Sequence, residues 1–219
     1  MAGQRSYDDP CGVARALDAV GERWALLLVR ELLLGPKRFT DLASGLPGIS
    51  QNVLSQRLRE LEGSGMVRRR RLGPPAGARV YELTERGQEL EPVLLALARW
   101  GSRAPTASSR GLSVDALALA LRTTFEPEAA GTLAVRLDLR LGDDRLRAEV
   151  GEGRFRIARG EADGPDAAIE TDPATLRSLV FGGRPLRTAL DRGEVAIHGE
   201  EAAVTRFLGC FSRPARAAG

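Results

Sequence analysis

Hydrophobic residues recur at helical spacing through the first hundred positions, punctuated by Gly and Pro. Val13, Leu17 and Val20 predict a short helix from Cys11 to Val20. Trp24, Leu27, Leu28 and Leu32 put a broad apolar face on a second, Glu22 to Leu34, which Gly35-Pro36 stops. A third starts at Phe39-Thr40-Asp41-Leu42 and ends at Gly45, and Leu46-Pro47-Gly48-Ile49 turns the chain tightly toward Ser50, the N-cap of a fourth helix reaching Glu62. On that helix Leu54, Leu58 and Leu61 share one stripe, and Asn52, Ser55, Gln56 and Arg59 share the opposite one. The period then changes to that of strands: Met66–Leu72 and Arg79–Leu83, joined by Gly73-Pro74-Pro75-Ala76-Gly77, form a hairpin. Thr84 caps a longer helix, Glu85 to Arg103, bearing Leu90, Val93, Leu94, Leu97 and Trp100, with a kink expected at Pro92.

The second half opens on a helix from Leu112 to Phe125, with Leu117, Leu121 and Phe125 every four residues. Three strictly alternating runs follow, Val135–Leu141, Arg145–Val150 and Arg154–Arg159, separated by Gly-Asp-Asp and Gly-Glu-Gly turns. They predict an antiparallel meander with one apolar and one charged face. A strand at Ala167–Glu170, helices after Asp172-Pro173 and from Pro185, a strand at Glu194–His198 and a helix from Glu200 to Phe211 complete the pattern. The expected class is α+β in two domains: residues 1–104 as a winged helix-turn-helix, 105–111 as a small, polar linker, and 112–219 as an antiparallel sheet with covering helices.

Charge separates the halves further. Residues 1–110 carry 17 Lys and Arg against 12 Asp and Glu, a net of +5, whereas residues 111–219 carry 15 against 17, a net of −2. That asymmetry favours a polyanion as partner of the first half. The two cysteines, Cys11 and Cys210, lie too far apart in the sequence to suggest a disulfide framework or metal spacing. No apolar run spans a bilayer and no secretory signal precedes the first helix, so the cytoplasm is the default compartment and no membrane partner is expected. His198 is the only histidine, and no nucleophile, base and acid stand at familiar spacing. Neither a Gly-rich phosphate loop nor a metal-ligand cluster is present, so the expectation is a protein without cofactor or metal that is not an enzyme.

What remains is recognition chemistry. Asn, Gln and Arg make bidentate bonds to base edges in a major groove, so the helix beginning at Ser50 is a candidate reader of double-stranded DNA through Ser50, Gln51, Asn52, Ser55, Gln56 and Arg59. Its bland alternative is an ordinary amphipathic surface helix. Arginines on the hairpin, Arg69, Arg71 and Arg79, stand where a wing meets phosphates; the alternative for Arg68–Arg71 is an edge strand protected by its charge. The apolar stripe of the long helix asks either for a second copy of the chain or for the first helix of the same chain.

The succession Cys11-Gly12-Val13-Ala14-Arg15-Ala16-Leu17, Gly21-Glu22-Arg23-Trp24, Arg30-Glu31-Leu32, Arg38-Phe39-Thr40-Asp41-Leu42, Leu46-Pro47-Gly48-Ile49-Ser50, Leu58-Arg59-Glu60-Leu61-Glu62 and Tyr81-Glu82-Leu83-Thr84 resembles the HxlR family of bacterial winged helix-turn-helix regulators. The resemblance implies a homodimeric repressor on an inverted-repeat operator. It also implies a redox or electrophile sensor at an N-terminal cysteine, the position held by Cys11; a chain with a ligand domain has less need of one. The family ends soon after the long helix, and this chain continues for about another hundred residues.

The continuation, through Ala168-Ile169-Glu170-Thr171-Asp172, Leu179-Val180-Phe181-Gly182-Gly183-Arg184 and Gly193-Glu194-Val195-Ala196-Ile197-His198-Gly199, resembles the sterol carrier protein 2-like fold. That implies an apolar small-molecule effector, enclosed by Val135, Leu137, Leu139, Phe155 and Ile157 of the sheet. Leu117, Leu121, Leu176, Leu179, Val180, Phe181 and Phe207 would face them from the helices. The alternatives are a domain that only dimerises or pads the regulator, and a lipid or sterol carrier whose winged domain mediates protein contacts.

Overall fold

A computed structural model of the chain describes residues 6–73, 77–104 and 111–212. Residues 74–76 of the expected hairpin tip at 73–77 and residues 105–110 of the expected linker at 105–111 lie outside the described residues. The chain divides into two compact units, Met1–Leu94 and Leu95–Gly219.

The first unit contains α1 (Gly12–Val20), α2 (Ala25–Leu32), α3 (Phe39–Gly45), α4 (Gln51–Gly63), β1 (Val67–Arg71), β2 (Arg79–Leu83), α5 (Glu85–Gln88) and the start of α6 (Glu91–Gly101). Helix α2 is shorter than its apolar pattern suggests. Trp24 takes a left-handed φ of 79°, which a non-glycine residue adopts only where its surroundings hold it, so the helix begins one residue later. Its buried side is Ala25, Leu28, Val29 and Leu32, while Leu27 stays exposed. Gly48, at φ 101°, makes the turn into α4, where Ser50 Oγ accepts a bond from the Val53 amide. Leu54, Leu58 and Leu61 are buried as the stripe predicts, contributing about 1.5–3 kcal/mol each in gross burial.

The long helix is broken rather than kinked. Pro92 has no N–H for the Gln88 carbonyl and its ring crowds that carbonyl, so α5 ends at Gln88 and α6 restarts at Glu91. The hairpin gains an edge the sequence pattern does not mark: Lys37 pairs with Tyr81, N to O at 2.9 Å and O to N at 2.8 Å.

The second unit continues through α6 and then contains α7 (Val114–Thr124), α8 (Pro127–Ala130), β3 (Val135–Leu141), β4 (Asp144–Gly151), β5 (Arg154–Arg159), β6 (Ala167–Thr171), α9 (Pro173–Val180), α10 (Leu186–Asp191), β7 (Ala196–Gly199) and α11 (Glu201–Leu208). The meander forms as expected, but the sheet, ordered β5-β4-β3-β6-β7, is mixed: β6 runs parallel to β3. The reason lies in residues 160–166. Asp138 Oδ1 accepts the Ala162 amide at 2.6 Å, and Arg136 and Asp166 exchange two bonds of 2.7 and 2.8 Å. These bonds carry the chain across β4 and β3, so β6 docks beside β3 and not as a further hairpin on β5. Leu137, Leu139 and Leu146 face inward against Leu117, Leu121, Leu176 and Phe207, all fully buried. Phe125, Phe155, Phe207 and Phe211 gather by the β5 edge, with neighbouring ring centroids 5.0–6.0 Å apart.

Candidate nucleic-acid interface

Helix α4 turns its leucines into the core of the first unit, which commits the opposite stripe to solvent. Gln51, Asn52, Gln56 and Arg59 are exposed and Ser55 is half-buried. Arg59 has no carboxylate partner among the described residues, so its guanidinium is free for a base or phosphate. Ser50 is exposed too, but its hydroxyl oxygen is occupied as the cap of the helix. Gln56 is not idle: its Nε2 donates to Glu60 Oε1 at 3.0 Å, one turn on.

On the hairpin the strand period sorts the arginines by face. Arg68 and Arg70 lie on one face and both bind Glu82, at 2.7 and 2.8 Å, so these two are engaged internally. Arg69, Arg71 and Arg79 share the other face, with Arg71 directly opposite Arg79 in the ladder. Arg69 is held by Glu62 at 2.8 Å and lies 5.4 Å from the centre of the Tyr81 ring. Arg71 makes a single long bond, 3.4 Å, to the Gly77 carbonyl, and neither it nor Arg79 meets a carboxylate among the described residues. Like charges opposite each other across strands destabilise a hairpin. An anion between Arg71 and Arg79 removes that repulsion, and guanidinium forks suit phosphate oxygens.

Buried charges set the hairpin against the helices, and no sequence pattern marks them. The Glu31 carboxylate, fully buried, accepts from Lys37 Nζ at 2.8 Å and from Arg30 at 2.8 and 3.1 Å. Lys37 is the residue whose backbone pairs with Tyr81, so this ion pair links α2 to the wing. Arg57, whose side chain is 14% exposed, donates to the Arg23 carbonyl at 3.1 Å and to Glu22 at 2.9 Å, and also binds Glu60. The i, i+3 and i, i+4 spacings of Arg57 and Gln56 to Glu60 were legible signals; the bonds to the Glu22–Trp24 turn were not.

In the second unit the residues expected to enclose a ligand converge on the inner face of the sheet. Ten of the twelve are buried, and Phe155 and Phe181 are half-buried. A cleft of about 380 Å³ opens on the charged face, lined by Arg136, Glu149, Arg154, Arg156 and Asp166. Arg159 reaches inward to the buried Asp115 at 2.8 Å and also binds Asp144, tying α7 to β4 and β5. Cys11 is exposed at the N-cap of α1, whereas Cys210 is buried, and burial pushes its thiol up. His198 is exposed, 3.8 Å from Glu170. No group of three or more potential metal ligands occurs among the described residues, and no helix there is long and apolar enough to cross a membrane.

Two family descriptions match the chain: HxlR-like helix-turn-helix over residues 19–108 and alkyl sulfatase C-terminal over residues 103–217. The second falls where a sterol carrier protein 2-like domain was expected. The chain is 39% identical over 89 residues to the HTH-type transcriptional regulator YvaP of Bacillus subtilis, covering 40% of this chain and 82% of that protein. It is 43% identical over 89 residues to the HTH-type transcriptional regulator Rv3095 of Mycobacterium tuberculosis, covering 41% of this chain and 56% of that one. Among solved structures, the reduced form of the transcriptional regulator YodB from B. subtilis is 32% identical, covers 46% of this chain and all of its own, and has a TM-score of 0.40.

Proposed function

The chain belongs to the HxlR-like helix-turn-helix family of DNA-binding transcription regulators, with a second half belonging to the alkyl sulfatase C-terminal family, and from that premise we propose that it is a homodimeric repressor. The reading rests on one observation above the others: an exposed stripe of Asn52, Gln56 and Arg59 on α4, together with Arg71 and Arg79 opposed on the wing and without carboxylate partners among the described residues. The helix stripe reads base edges in a major groove, and the wing pair holds the phosphate backbone.

Two helices argue for a second copy of the chain. Val13 and Leu17 on α1, and Val93, Leu97 and Trp100 on α6, form stripes at helical spacing that are exposed to solvent, Trp100 at 73%. A chain gains by covering such stripes with their own copy, and two-fold symmetry then sets an inverted-repeat operator with half-sites about 10 bp or a multiple apart. The second unit, in the sterol carrier protein 2-like reading, takes an apolar effector between sheet and helices. Its differential affinity for two dimer geometries changes operator affinity, by tenfold for about 1.4 kcal/mol.

Operator binding by fluorescence anisotropy tests the reading. Arg59→Ala costs about 1–3 kcal/mol if Arg59 reads a base. In sedimentation, Leu97→Arg/Trp100→Arg is expected to run as a monomer and the unaltered chain as a dimer. Equal operator affinity of Arg59→Ala and the unaltered protein would overturn the reading.

A further inference from the structure

Resting on the DNA-reading role of α4, we propose that Glu60 is a positioning residue that sets which base Gln56 reads, and that the Glu22–Trp24 turn holds Glu60 in place through Arg57. A carboxylate can only accept hydrogen bonds, so the end of Gln56 that meets Glu60 Oε1 at 3.0 Å is its NH2 group. One N–H is thereby engaged, and the other N–H and the carbonyl oxygen remain. That donor and acceptor side by side are what the N7 and N6 groups of adenine match in a major groove.

The carboxylate that orients Gln56 is itself fixed. Its second oxygen, Oε2, takes Nη1 of Arg57, while Nε of the same guanidinium donates to the Arg23 carbonyl and Nη2 to Glu22. Arg57 is the most buried member of the set and cannot swing out without losing three partners. It also offsets part of the negative charge of Glu60, which otherwise stands near the phosphates. The turn that receives Arg57 is held stiffly in its own right, with Trp24 at φ 79° and the Arg23 guanidinium 5.4 Å from the centre of the Trp24 ring. The order of the base-reading amide therefore traces to a fixed turn between α1 and α2 through a chain of four side chains: Glu22, Arg57, Glu60 and Gln56.

Preordering one flexible side chain is worth about two- to tenfold in affinity for the base that it fits, and nothing for a base that it does not. The operator is first defined by selection from random duplexes, and Gln56→Ala then identifies the base pair that Gln56 reads. For Glu60→Ala, discrimination at that pair falls about two- to tenfold through weaker binding of the favoured base, while discrimination at every other pair is unchanged. The double variant Gln56→Ala/Glu60→Ala discriminates no worse than Gln56→Ala alone. Uniform weakening across all sequences, or additive effects in the double variant, would assign Glu60 a merely structural role and overturn the proposal. No change of preference at any pair in Gln56→Ala removes its premise and overturns it too; the regulator reading as a whole is judged separately, by Arg59→Ala and by the wing.

Discussion

Removing the Glu31 carboxylate is the perturbation whose cost the structure defines most clearly. Glu31 is fully buried and Lys37 nearly so, and the two meet at 2.8 Å with Arg30 on the other carboxylate oxygen. Taking both charges out of water costs several kcal/mol, which their attraction and the hydrogen bonds to Glu31 recover only while both are present. Glu31→Ala leaves the Lys37 ammonium buried without this counter-ion, and the expected loss is about 3–5 kcal/mol, against under 1 kcal/mol for an exposed pair. The damage reaches the wing, because Lys37 supplies the backbone that pairs with Tyr81. Urea unfolding of the full chain in a Trp100→Phe background, followed by the fluorescence of Trp24 in the first unit, measures the loss. Removing both charges with apolar replacements of similar length, Glu31→Met/Lys37→Met, is expected to return most of the stability, since neither buried charge then remains. Gly45→Ala belongs to the same set: its Cβ would collide with Glu31 Oε2. A Glu31→Ala loss below about 1 kcal/mol, or a double variant no better than the single one, would refute the account of a desolvated, mutually dependent pair.

Other outcomes follow from the same geometry. Arg71→Ala/Arg79→Ala is expected to lower the salt-dependence slope of operator binding by about 1.8, roughly 0.9 for each phosphate no longer neutralised, and to do so equally across sequences; an unchanged slope in a titration series would remove the wing from the interface. The Asp172 carboxyl lies below the ordinary carboxylate range, held there by the Thr175 hydroxyl and then by the Thr175 and Ala174 amides at the start of α9. As pH falls the unfolded chain takes up this proton first, so the cap contributes fully above about pH 4 and loses its contribution below it. Asp172→Ala should cost about 1 kcal/mol at neutral pH, with the gap to the unaltered protein closing in acid; a gap independent of pH would contradict this. With a thiol reagent, Cys11 is expected to label in the native protein and Cys210 only on unfolding, since burial outweighs the opposing pull of Arg206 on its thiol. Cys11→Ser should retain both operator binding and effector response; loss of an oxidant-triggered release in that variant would make Cys11 the sensor.

What the sequence determined by itself was everything that depends on period and on local chemistry. Leu54, Leu58 and Leu61 repeat at helical spacing, so the polar stripe of α4 faced outward whatever the rest of the chain did. Strand alternation likewise placed Arg71 and Arg79 on one face of the wing and Leu137 and Leu139 on the inner face of the sheet. Ser50 and Gly48 marked their cap and turn because each acts on backbone within a few residues of itself, and Pro92 marked an interruption, though as a kink where the structure has a break. The tertiary structure alone decided which charges are engaged internally. Strand alternation sorts Arg68 and Arg70 from Arg71 but names no partner: Glu82, more than ten residues away, claims the first two and leaves Arg71 free of any carboxylate among the described residues. Trp24 reads as the first apolar position of α2, but its left-handed backbone makes it a turn, and Arg57, 34 residues beyond the Arg23 carbonyl, is bonded there. The parallel placement of β6 beside β3 was equally hidden, because it rests on the Asp138 carboxylate capturing the amide of Ala162, 24 residues on. Periodicity reports only which side of an element is wet; a buried charge or a crossing chain is settled by a partner distant in sequence, and no local pattern encodes that partner's position.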